Sequence, residues 1–129
     1  MKCFEGLILY STFADLLGYI VIAPFFPPQL QERALNPLYN SIVFSIYAVS
    51  YVGCSLAISQ VVIPRFGRSG SFLIGALFQL ISMMMLGSLY YIGSNTPFLV
   101  TAIFARIIQG AGSSIMVTIS FALTSLTYP

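Results

Sequence analysis

Charge is what this sequence has least of. Of its 129 residues only 6% are Asp, Glu, Lys or Arg, against about 25% in a soluble domain, while 58% are hydrophobic. A soluble fold of this length has too high a surface-to-volume ratio to hide so much apolar surface. The solvent expected for it is a lipid bilayer. The formal charge is only +2 and the five basic residues are scattered, so there is no basic patch and nucleic acid is excluded as a partner. Histidine is absent, and the two cysteines, Cys3 and Cys54, lie far apart in different settings. That excludes a Cys/His zinc site and argues against a disulfide; no metal or cofactor is expected. No constellation of nucleophile, base and metal is present, so an enzyme is not expected. Neither Asn36-Pro37 nor Asn95-Thr96-Pro97 is a glycosylation sequon.

Apolar segments fill the chain and leave no room for a soluble domain. We expect an all-α fold, a polytopic membrane helix bundle with four transmembrane helices at about 6–26, 40–63, 71–92 and 98–126. Each reaches the ~20 residues a spanning helix needs. Lys2 precedes the first, as in a signal peptide, but Asp15 interrupts the apolar run and no small-x-small cleavage site follows, so the segment is read as a span. Pro24, Pro27 and Pro28 are expected to end it, followed by a polar loop over residues 29–39. The second segment is rich in small residues, and Gly53 with Ala57 has the small-x-x-x-small spacing of close helix packing. Residues 64–70 read as a short basic turn. Met83, Met84 and Met85 are lipid-facing or packing filler rather than a metal site. Tyr90 and Tyr91 mark an interface, and Pro97 suits the first turn of a helix. Lys2, Arg65 and Arg68 fall on one side and only Arg33 on the other, which places the N-terminus in the cytoplasm.

One charge stands alone. Arg106 lies in an apolar run with no other charge between Arg68 and the C-terminus, where an arginine costs roughly 2.5–3.5 kcal/mol. Asp15 is the other ionisable residue in such a setting. From the ends of their antiparallel helices the two lie about 14 and 12 Å deep at ~1.5 Å per residue, both near the middle of a core ~30 Å thick. They can therefore meet, directly or through a side chain or water. Ser11, Thr12, Asp15, Gly18 and Tyr19 share a helical face. So do Arg106, Gln109, Gly110 and Ser113, and so do Tyr47, Ser50, Tyr51 and Cys54. Three polar stripes pointing together suggest a hydrated cavity. A static salt bridge is one reading. The other is that Asp15 exchanges a proton or binds a cation while Arg106 responds, since intramembrane ionisable residues mark ion and substrate paths. A carboxylate that alternately gains and loses a cationic partner takes up and releases a proton. Tyr19 offers a hydroxyl or an aromatic face for a cationic ligand, or serves only as a packing aromatic.

Arg106-x-x-Gln109-Gly110-x-Gly112 resembles the helix-four signature of the major facilitator superfamily. Arg65-x-Gly67-Arg68 resembles the end of that superfamily's cytoplasmic loop motif, and Asp15 followed by Ala23-Pro24-Phe25-Phe26-Pro27 is similar to helix one of drug:proton antiporters and vesicular amine transporters. The resemblance runs over nearly the whole chain. It implies twelve helices in two halves around a central cavity, alternating access, and inverted three-helix repeats in each half. This chain would supply the first four helices, and the C-terminal half would be its partner. Asp15, Tyr19, Arg106 and Gln109 would serve protons and substrate, Arg65, Gly67 and Arg68 gating, and Gly53, Gly110 and Gly112 helix packing. Gln60 and Pro64 depart from the loop motif, which has glycine and an acidic residue there. The expected function is secondary transport, as proton-coupled antiport of a small organic cation; the alternative is a four-helix membrane protein with a structural or assembly role. Plasma and vesicle membranes are not distinguished.

Overall fold

The computed structural model describes residues 2–127, with backbone alone for residues 2–4, 59 and 127; the side chains of Lys2 and Cys3 lie outside the described residues. Four α-helices account for nearly all of it: α1 (Lys2–Glu32), α2 (Leu38–Ala57), α3 (Ile63–Ser88) and α4 (Asn95–Thr127). A π-turn, Ile58–Val62, joins α2 to α3, and a 3₁₀ turn, Leu89–Tyr91, follows α3. No strand occurs among the described residues.

By length and apolarity three helical runs are able to cross a membrane: Glu5–Glu32, Leu38–Tyr91 and Asn95–Leu126. The middle run has 54 residues, about 80 Å if straight at 1.5 Å per residue. It is not straight. Val43, Leu89, Phe98 and Ala102 share one core cluster, while Ile58, Phe72, Ile115 and Ile119 pack together in another. The α2 segment therefore runs alongside α4 in the same direction and α3 in the opposite one, so the chain reverses between them. The reversal is centred on Gly67, at φ 70° and ψ 175°, a region of backbone open essentially to glycine alone. The expected seven-residue turn is thus condensed into a break in otherwise helical chain. The π-turn just before Pro64 has a local cause. Proline has no N–H for the helical ladder and its ring crowds the preceding turn, which the wider π geometry relieves.

Helix α1 corrects the sequence reading, because it does not stop at residue 26 but runs through Pro24, Pro27 and Pro28 to Glu32. Packing outweighs the lost hydrogen bonds. Phe26 and Leu30 are each 2% exposed, and Phe26 stacks on Phe98 with ring centroids 5.8 Å apart. The helix ends in a Schellman motif. Leu35 N–H donates to Leu30 C=O and Ala34 N–H to Gln31 C=O, both at 3.0 Å, with Ala34 left-handed at φ 51°. Arg33 then ties this end to the α3–α4 turn. Its guanidinium donates to the carbonyls of Gly93 and Ile92 and lies 4.3 Å from the Phe98 ring centre.

α4 is the central helix. Its residues Phe98, Ala102, Ala105, Arg106, Gln109, Ser113, Ser114 and Ile119 are fully buried. Small residues let its neighbours approach. A Cβ on Gly110 would lie 2.7 Å from Tyr47 O on α2, and one on Gly112 would lie 3.0 Å from Gly75 O on α3. Gly53, expected in helix packing, takes no part in the seam. It is exposed, with nothing within 4 Å of its Cβ position. The face of α2 that meets Gly110 is set by Tyr47, Ser50 and Tyr51, and Gly53 falls more than a quarter-turn from the middle of that face at 3.6 residues per turn. Tyr90 and Tyr91 project outward, 78% and 87% exposed.

Candidate functional site

The polar stripes converge on α4. Arg106, Gln109 and Ser113 are all 0% exposed and Asp15 is 6% exposed. Because α1 and α4 are antiparallel, the sequence Asp15, Gly18, Tyr19 runs against Ser113, Gln109, Arg106. Asp15 Oδ1 accepts a hydrogen bond from Ser113 Oγ at 2.6 Å. One turn along, a Cβ on Gly18 would sit 3.7 Å from Gln109 Nε2. One step further, Tyr19 comes within cation–π range of Arg106.

Arg106 and Asp15 do not form the direct ion pair that their depths allow. Arg106 Nη1 donates to Gln109 Oε1 at 2.8 Å, and its Nε and Nη2 have no hydrogen-bond partner. Aromatic rings surround the guanidinium instead: Phe44 at 4.8 Å, Tyr19 at 5.6 Å and Tyr47 at 5.7 Å from the ring centres. Each such contact contributes up to about 2 kcal/mol when desolvated. The offset along α4 explains the missing pair. Ser113 lies seven residues past Arg106, about 10 Å along the axis, and this axial separation places Asp15 opposite Ser113. Tyr47 stands on the Arg106 side of this gap, facing the guanidinium. It also packs on Tyr19, with centroids 4.8 Å apart.

The remaining expected residues separate into two groups. Ser50 joins the seam, donating to Ile107 C=O at 2.8 Å, whereas Ser11 and Thr12 turn back onto their own helix and bond to Ile8 C=O. Arg65, Gly67 and Arg68 stand exposed at the α2–α3 reversal, remote from the buried charges, and no ion pair involves them among the described residues. No group of three or more His, Cys, Asp or Glu able to hold a metal occurs among the described residues. Met84 is 71% exposed and Met83 packs over Gly18.

One residue of the site escaped sequence reasoning. Gln79 of α3 brings its amide nitrogen to 3.2 Å from the Cβ position of Gly18. A signal for it exists: Ser71, Gly75, Gln79 and Ser82 recur at i, i+4, i+8 and i+11, a fourth small-and-polar stripe.

No family, no curated protein and no solved structure matches this chain. The arrangement of these side chains therefore carries the functional reading.

Proposed function

We propose that the chain is the N-terminal part of a secondary active transporter of the major facilitator kind, exchanging protons for a small organic cation by alternating access. In this reading the two arms of the Leu38–Tyr91 run are separate spans, giving four in all, with the N-terminus and the Arg65–Arg68 reversal on the cytoplasmic side. The remaining helices of the transporter, its C-terminal half among them, supply the opposite wall of the cavity.

One observation carries the reading: an acidic and a basic side chain are buried in the same seam, each held by neutral groups rather than by the other. A buried charge needs compensation. Here Asp15 has one serine, while Arg106 has one glutamine and three rings, with two guanidinium nitrogens left unmade. Such an arrangement is poised for exchange. A cation arriving at Asp15 displaces the proton of its carboxyl to water, and the loss of the cation lets the proton return. The glycine seam at Gly110 and Gly112 would serve a purely structural bundle equally well. The half-satisfied guanidinium supports the transport reading.

The test is pH-gradient-driven uptake of a panel of organic cations by the full-length protein in proteoliposomes. Asp15→Asn is expected to abolish coupled uptake while expression and membrane insertion stay unchanged. Normal coupled uptake by that variant overturns the proton role.

A further inference from the structure

Between α1 and α3 lies an open groove of about 520 Å³, lined by Asp15 and Gln79 and walled by Leu7, Phe72, Leu80 and Met83. Its size falls in the range of small-molecule sites, and a few polar groups in an apolar wall are their usual composition. Gln79 is its anomaly. Both its Nε2 and its Oε1 are buried without a hydrogen-bond partner, and leaving a buried donor or acceptor unmade costs more than a made bond contributes. Gln109 Nε2, in a wholly buried residue, is unpartnered as well and approaches the same point on Gly18, at 3.7 Å against 3.2 Å for Gln79. Over that notch lies the flexible thioether of Met83, a side chain that repacks at little cost. Asp15 keeps acceptor capacity beyond its single bond from Ser113.

We propose that Asp15 and Gln79 form a two-point site for a protonated amine that carries an amide or hydroxyl group about one helical turn from its nitrogen. The proposal rests on the cation-transport reading and narrows its substrate class. The ammonium donates to Asp15. The second group both accepts from Gln79 Nε2 and donates to Gln79 Oε1, which a primary amide or hydroxyl does and an alkyl chain does not. Asp15 and Gly18 are three residues apart, about 4.5 Å along the helix, and the Gln79 amide sits at Gly18. This sets the spacing between the two groups at roughly 5 Å, about three methylenes.

The experiment is isothermal titration of the purified full-length protein with 4-aminobutanamide and with n-butylamine. 4-Aminobutanamide is expected to bind about tenfold more tightly, the worth of its added hydrogen bonds, and Gln79→Leu is expected to bring the ratio of the two affinities to one. Equal affinities in the unsubstituted protein, or a preference that survives Gln79→Leu, overturn the proposal. The comparison on the unsubstituted protein decides it even if that variant does not fold. Equal binding of both amines that Asp15→Asn abolishes sinks the role of Gln79 alone. Binding of neither sinks the cation-transport reading with it.

Discussion

Replacing Gly110 by alanine tests the packing that holds the site. The added methyl would lie 2.7 Å from Tyr47 O, 2.9 Å from Ser50 Cβ and 3.0 Å from Tyr51 N. Two of these three atoms are α2 backbone, so no rotamer change relieves the clash and the helix itself must retreat. An ordinary contact needs roughly 0.7 Å of displacement or more. That stretches the Ser50 Oγ bond to Ile107 O, now 2.8 Å, to the limit of a hydrogen bond, an interhelical bond worth about 0.6 kcal/mol in a membrane. Overpacking itself costs about 1–3 kcal/mol. Gly53→Ala is the internal control, because nothing lies within 4 Å of its Cβ position and alanine in an exposed helix interior gains about 0.5–1 kcal/mol over glycine. The two substitutions should therefore have opposite signs. Reversible unfolding in SDS mixed micelles, followed by circular dichroism, measures both. A Gly110→Ala protein as stable as the unsubstituted one refutes the α2–α4 seam described above.

Arg106→Ala is expected to reduce coupled uptake far more than the amount of inserted protein, and Arg106→Lys to restore little of it. An ammonium lacks the planar fork that reaches Gln109 while facing three rings. If Arg106→Ala instead prevents membrane insertion, the charge is structural glue and the transport role fails. At the reversal, Gly67→Ala forces a side chain into backbone at φ 70° and should destabilise the fold by about 1–3 kcal/mol, read in the same micelle titration; an unchanged midpoint means that the chain does not turn there. Asp15→Asn, assayed as proton-coupled uptake, is the direct check on the carboxylate.

Composition and periodicity alone carried much of this protein. The scarcity of charge dictated an apolar helical chain, and the i, i+3, i+4 and i+7 spacing of polar residues placed Asp15, Arg106, Gln109 and Tyr47 on inward faces. These are local properties, written along one chain. Four outcomes were decided by contacts between distant residues. Phe26 and Leu30, packed against the start of α4, hold α1 together through three prolines. Of several glycines with close-packing spacing, Gly110 and Gly112 meet a neighbour's backbone and Gly53 meets nothing, because the rotation of each helix about its axis is set by its partners. Ser113 rather than Arg106 faces Asp15, since depth in a bilayer bounds two side chains to the same level only within a turn or two, while the axial fit of α1 on α4 selects the partner. And Gln79 joins the site because α3 folds back at Gly67 alongside α4, a reversal that helix periodicity does not record.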